Sequence, residues 1–328
     1  ILLFHGDGDT LVPFEDARRL RDAPPFVSNA IPWDHPGNCD FHVRLGSWSR
    51  NPRRMAVTLS DIRAAQRRIA GGVIVTPCPE SIPLSEMTGV RVFCKLDNLQ
   101  RTGSFKERGA RHALLRLPPA RQQRGVIAAS AGNHALGLAY HGCLLGIPVT
   151  VVMPDYAPLI KITTCERLGA RVLIRGGDFA EARAEADRLV AKEGFTYVHG
   201  FDDPDIIAGQ GTLGLELLKQ VKDLDAIVCP IGGGGLIAGI AVAVKALRPR
   251  LQIIGVESTA TGNFAAALRA GKPVRVPRRP TLADGLATDD RAGVPARIPT
   301  PRKRPAIDIA ESPKGAFSNC NLLLIGLF

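Results

Sequence analysis

The chain has 328 residues, of which 45% are hydrophobic and 22% charged, and carries a formal net charge of +11. That length supports one large or two medium domains with real cores, in a composition ordinary for a soluble globular protein. No apolar run is long enough to span a bilayer, and no basic segment followed by an apolar one marks a leader, so the expected compartment is the cytoplasm and no membrane partner is expected. The positive charge raises nucleic acid as a partner, but the arginines gather at 44–68 and in a tail with Arg297, Arg302, Lys303 and Arg304, without interleaved aromatics. No nucleic-acid partner is therefore expected, only a local positive field for an anionic cofactor or substrate. Seven cysteines (Cys39, Cys78, Cys94, Cys143, Cys165, Cys229, Cys320) show no short paired spacing. We read them as reduced and structural, without a disulfide framework or zinc site, and expect no metal.

In chain order, residues 1–54 open with ILLFHGDGDTLVPFEDARRL, an apolar run, a Gly/Asp turn and a helical pattern. This stretch weakly resembles the end of an α/β-hydrolase, with Asp9 as the acid and His35 as the base. No G-x-S-x-G nucleophile elbow occurs in the chain. An acid and base without a nucleophile cannot transfer an acyl group, so 1–54 reads as an appended fragment.

From Val57 the character changes. TLSDIRAAQRRIAGG offers Thr58 or Ser60 as a cap and ends at Gly71. Strand-like runs follow at 90–97, 125–130, 148–154, 170–176, 196–200, 226–232 and 251–258, most bounded by Gly or Pro. Helical patterns lie between them, clearest in DFAEARAEADRLVAKEG at 178–194. Steady alternation of this kind predicts an α/β fold of parallel sheets covered by helices. Past Leu286 the Pro- and Arg-rich sequence has no sustained period, and 291–328 reads as an irregular or disordered tail ending in the apolar NLLLIGLF.

Four stretches carry chemistry, each where an α/β fold places ligands. QRTGSFKERGA sets Lys106 at a helix start after Phe105, among small residues. A surface lysine is the bland alternative, but a lysine of lowered pKa can form a Schiff base with an aldehyde cofactor. ASAGNHALGLA presents Ser130, Gly132, Asn133 and His134 as a polar turn able to hold a carboxylate or phenolic oxygen, or merely to cap a helix. CPIGGGGLIAGI holds Gly232, Gly233, Gly234 and Gly235 between a buried strand and a helix. Four glycines cost backbone entropy, so a phosphate cradle outweighs a structural turn. DIIAGQGTLGLEL has Gly209, Gly211 and Gly214 opening a helix, explained by close packing as well as by chemistry.

SFKERGA, SAGNHALGLA, IAGQGT and GGGGLIAGI, with MPDYAPLIK, IIGVES and TLADGL, resemble in order and spacing the serine/threonine dehydratases, fold-type-II pyridoxal-phosphate enzymes similar to tryptophan synthase β. The resemblance covers about 57–286. It implies a two-domain architecture: 55–124 with 201–290 as the cofactor domain and 125–200 as a smaller one. It makes pyridoxal 5'-phosphate the cofactor, Lys106 the Schiff-base lysine and Phe105 its packing neighbour. Asn133 would bond the ring hydroxyl and Gly232, Gly233, Gly234 and Gly235 the phosphate. Ser130, Asn133 and His134 would face the substrate carboxylate. The implied reaction is deamination of L-threonine or L-serine by β-elimination to a 2-oxo acid and ammonia, in an enzyme that forms dimers or tetramers. The racemases of the family carry a second serine where this chain has Ala131, which favours elimination over a racemase-like activity. A cofactor-binding remnant is the other alternative. Family members continue past TLADGL in a way this chain does not match, which suggests a truncated or altered C-terminus. The residue facing the pyridine nitrogen is not assigned. The family's cation site begins at a glutamate matching Glu257, but its later acidic ligand falls at Asn263.

Overall fold

The computed structural model describes residues 57–258, 262–270, 274, 276, 284–286 and 321–325. Asp9 and His35 lie outside them, as do Cys39, Cys320 and most of the tail. The expected alternation is observed. Helix α1 (Leu59–Ile69) starts at Thr58, whose hydroxyl accepts from the Asp61 N–H while the Asp61 carboxylate accepts from the Thr58 N–H. This reciprocal pair is why the helix begins there. The short α2 (Ile82–Thr88) leads into β1 (Arg91–Lys95), and α3 (Lys106–Arg116) and α4 (Pro119–Arg124) follow.

The chain then builds a contiguous unit from β2 (Val126–Ala129), α5 (Asn133–Leu145), β3 (Val149–Met153), α6 (Leu159–Arg167), β4 (Arg171–Ile174), α7 (Phe179–Glu193) and β5 (Thr196–Tyr197). Its strands pair in parallel in the order β4-β3-β2-β5. Alternate residues face opposite ways, so both faces of the central strands are apolar. Ile127, Ala129 and Val152 pack under Ala182, Ala186 and Leu189 of α7. Val126, Ala128, Val151 and Met153 pack with Leu136, Leu138 and Ala139 of α5.

The chain leaves this unit through α8 (Pro204–Gln220), β6 (Ala226–Pro230), α9 (Gly235–Leu247), β7 (Gln252–Val256) and α10 (Asn263–Ala270). Helix α8 starts at Asp203, whose carboxylate accepts from the Asp205 and Ile206 N–H groups. Gly209, Gly211 and Gly214 therefore lie in the middle of α8 and do not open it. Their role is close approach. A Cβ on Gly209 would sit 2.6 Å from the Gly109 Cα, and one on Gly211 would sit 2.9 Å from the Gly239 carbonyl oxygen.

The tail holds one departure from expectation. Residues 321–325 form β8 (Asn321–Ile325), and the second sheet has the parallel order β1-β8-β6-β7. Leu323 lies opposite both Phe93 and Ile227, so β8 is an interior strand. A continuous run of Leu and Ile suits such a position, because a parallel interior strand needs apolar residues on both faces. Cys165 and Cys229 are buried and Cys94 half-buried, but Cys143 is exposed on α5, and all the described cysteines are free. Among the described residues, no helix is long and apolar enough to cross a membrane.

Candidate active site

Lys106 is the first residue of α3, and the helix is pinned on its other side. Two residues on, Arg108 donates to Asp97 Oδ2 at 2.7 Å and to Glu216 Oε1 at 2.6 Å, while Lys95 Nζ reaches Glu216 Oε2 at 2.6 Å. The side chains of Lys95 and Arg108 are fully buried, and those of Asp97 and Glu216 are 1% and 8% exposed. Two cations and two carboxylates thus balance in an interior where an odd charge would be untenable. Thr76 completes the set by donating to Asp97 Oδ1, and the Thr76 carbonyl accepts from Lys95. Burial alone would raise the Asp97 pKa, but the Arg108 guanidinium outweighs it and holds the carboxyl below its ordinary range. Glu107, also buried, turns back to accept from the Thr102 N–H, and its other oxygen lies 3.3 Å from His141 Nε2.

With α3 held in this way, Lys106 points in another direction and its Nζ donates to the Gly200 carbonyl at 2.7 Å. Burial lowers the pKa of this amine to about 8. The amine also lies 5.4 Å from the Phe105 ring centroid, and that ring packs on the core of the second sheet.

Gly200 belongs to the link between β5 and α8; the sequence places it in a strand-like run at 196–200, but the strand ends at Tyr197. His199 Nδ1 accepts from the Phe201 and Asp202 N–H groups, and the His199 and Phe201 rings meet edge-on at 4.5 Å. Burial lowers the His199 pKa to about 4, helped by Arg183 and Lys106, and raises that of Asp202 to about 6, helped by Asp203. Phe201 lies on the glycine loop. A Cβ on Gly233 would fall 2.2 Å from the ring's Cγ, and one on Gly235 would fall 2.6 Å from the Phe201 carbonyl oxygen. The Lys106 amine and the glycine loop therefore contact consecutive residues, Gly200 and Phe201.

Gly234 has φ +83°, a backbone that L side chains rarely adopt, and stands at the N-cap of α9 with no side-chain cap. The first N–H groups of α9 thus point outward at the positive end of a helix dipole. Gly232 is half-buried at the entry to this loop.

The serine-asparagine turn lies at the start of α5, which also lacks a side-chain cap. Ser130 Oγ accepts from the Gly132 N–H at 3.3 Å, and Asn133 Oδ1 accepts from Lys161 Nζ at 3.1 Å. Helix α5, which follows this turn, reaches α3 through Gly137, where a Cβ would lie 3.4 Å from the Lys106 carbonyl carbon. His134 is set apart from Ser130 and Asn133. Its buried ring bonds the Val198 carbonyl through Nε2 at 3.0 Å, and burial and the nearby Lys106 lower its pKa to about 3. It is a neutral imidazole behind Gly200.

These residues fit pyridoxal phosphate. The amine is desolvated enough to lose its proton near neutrality, and an uncapped helix N-terminus with glycines in front of it suits a phosphate. The two carboxylate oxygens of Glu257 accept from the Phe264 N–H at 2.7 Å and the Ala265 N–H at 3.0 Å, at the start of α10. Among the described residues, no three His, Cys, Asp or Glu side chains gather as a metal would need.

A model of the pyridoxal-phosphate dependent enzyme family matches residues 69–311. The chain belongs to that family. This pyridoxal-phosphate dependent enzyme is 48% identical over 231 residues to an L-threonine ammonia-lyase of Thermotoga maritima, a match covering 70% of this chain and 58% of that protein. The match thus spans less than two thirds of that relative's length. Among solved structures it is similar to a threonine deaminase from T.th., with a TM-score of 0.67 and 42% identity over 70% of this chain and 75% of that one. It is also similar to maize serine racemase, with a TM-score of 0.69 and 35% identity over 72% of each chain.

Proposed function

We propose that this pyridoxal-phosphate dependent enzyme deaminates L-threonine or L-serine by β-elimination, releasing a 2-oxo acid and ammonia. The observation that carries the reading is the amine of Lys106, desolvated to a pKa of about 8 beside the glycine loop. The names of the similar proteins supply the substrate class. Residues 55–124 with 201–290, together with β8 at 321–325, form the cofactor domain and 125–200 the smaller one.

When bound, pyridoxal phosphate supplies an electron sink for charge developing at the substrate α-carbon. The glycine loop and the start of α9 hold its phosphate through main-chain N–H groups, and the Phe105 and Phe201 rings exclude water nearby. Ser130 and the main chain at the start of α5 hold the substrate carboxylate. Lys106 Nζ, near its pKa at neutral pH, takes the α-proton as general base, the condition under which proton transfer is efficient. The β-hydroxyl leaves as water, taking up a proton in place of the one removed by Lys106 Nζ, and a second water converts the resulting enamine to the 2-oxo acid and ammonia. Ala131 has no proton to deliver to the opposite face of the α-carbon, so inversion is not supported.

The test is 2-oxo acid formation by the purified chain with pyridoxal phosphate and L-threonine, then L-serine, beside Lys106→Ala. We expect product from the unaltered chain and a loss of at least about a thousandfold in the variant, the scale of a removed nucleophile and base. Formation of D-serine without 2-oxo acid would transfer the reading to a racemase. Bound cofactor with no turnover of either amino acid would leave only a binding protein.

A further inference from the structure

We propose that Lys161 is a positioning residue that acts through Asn133 on the bound cofactor. The inference rests on the proposed function and on the role that the family resemblance implies for Asn133, a bond to the cofactor's ring hydroxyl. Lys161 lies in the first turn of α6. Its neighbours Leu159 and Ile160 are 73% and 68% exposed, whereas Lys161 turns inward and is half-buried. There its Nζ meets Asn133 Oδ1 at 3.1 Å, across 28 residues of sequence.

The chemistry of this contact fixes more than a distance. An ammonium has three donors and no acceptor, so the amide atom it meets must be the oxygen. The orientation of the Asn133 amide, usually a choice between two flips, is thereby determined. With Oδ1 facing Lys161, the opposite corner is Nδ2, which can only donate. A ring hydroxyl ionised to an oxyanion needs a donor there, and the flipped amide would set one oxygen against another. The nearby positive charge also polarises the amide and strengthens donation from Nδ2, as linked hydrogen bonds do in a low dielectric. Lys161 thus favours the ionised ring oxygen without touching it.

The test compares the unaltered chain with Lys161→Met, Lys161→Arg, Asn133→Ala and the double variant Lys161→Met with Asn133→Ala. Cofactor affinity and the visible absorption of the bound cofactor are measured at fixed pH without substrate. The kcat and KM for L-threonine are measured separately. We expect Lys161→Met to weaken cofactor binding about tenfold, the scale of one charge-assisted hydrogen bond, and to reduce the visible band. Lys161→Arg should restore most of both. In the Asn133→Ala background Lys161→Met should add nothing, because a residue acting through another has no separate effect once that other is gone.

Additive effects in the double variant would overturn the proposal. So would a change confined to the KM for threonine with cofactor affinity untouched, which would make Lys161 a direct substrate contact. If Lys161→Met does not fold, Lys161→Gln replaces it in both backgrounds, keeping a donor without the charge. Should the unaltered chain release no 2-oxo acid, the proposed reaction fails while the cofactor titrations still decide this inference.

Discussion

Lys106 shows how a single side chain can carry a folding cost and a chemical use together. In an unfolded chain its amine stays protonated up to about pH 10.5, whereas burial lowers the value to about 8. Between those values the unfolded state holds more protons, so stability rises with pH across that window, and the full penalty is present below it. We therefore expect Lys106→Met to stabilise the cofactor-free chain at pH 7 by up to about 3 kcal/mol, a gain that shrinks as the pH approaches 10.5. Urea denaturation at pH 7 and pH 10 measures this, and an equal gain at both would mean that charge burial is not the cause. Gly233 is the other residue of strict requirement, because a Cβ there would fall 2.2 Å from the Phe201 ring. Gly233→Ala must displace the ring or the loop. It should cost about 1–3 kcal/mol in thermal unfolding, as overpacking does, and weaken cofactor binding about tenfold or more. At this scale the sequence disclosed the motif residues but not their partners. Lys106 and Gly200 are 94 residues apart, and no periodicity links them. Lys161 lay inside a recognised stretch, MPDYAPLIK, yet only the fold brings it to Asn133.

The elements were the most legible level, because strand and helix periods are local properties. The predicted strand at 226–232 is observed as Ala226–Pro230, and the predicted helix at 178–194 as Phe179–Glu193. The start of α8 was misread because its glycines looked like an opening, while the true start is set by Asp203 upstream. Nor could the sequence show that Lys95, Asp97, Arg108 and Glu216 are interior, since isolated charges normally mark surface. They join β1, α3 and α8 into one unit, which fixes the helix that carries Lys106. Arg108→Met should leave two buried carboxylates facing one lysine and destabilise the fold by about 3–5 kcal/mol, measured by urea denaturation. Because the Asp97 carboxyl is held below its ordinary range, its contribution is present above the unfolded value near pH 4 and is lost only as pH falls through the lower folded value. Glu257 serves α10 in a similar way. Glu257→Ala removes acceptors from two helix N–H groups and should cost about 1–2 kcal/mol in thermal unfolding.

For the whole molecule, the arrangement of two parallel sheets followed from the alternation of strands and helices, but the strand order did not. The placement of β8 between β1 and β6 depends on a pairing across most of the chain, which no local pattern encodes. Leu323→Pro is the direct test. Proline at an interior position facing Phe93 and Ile227 removes a ladder donor and should cost about 3 kcal/mol or more in thermal unfolding. The same change at an edge would be tolerated far better.

The position of β8 also bears on how the protein is made. A ribosome delivers β1 early and β8 last among the described elements, yet the two lie side by side. The sheet of β2 to β5 comes from one contiguous stretch and can close while synthesis continues. The sheet that flanks the lysine helix must wait with the sides of β1 and β6 unpaired until residues 321–325 emerge. Nascent chains halted before that point should protect 126–197 from protease and leave β1 and β6 open to cleavage and to chaperones, so the sheet beside Lys106 is completed only once residues 321–325 have emerged.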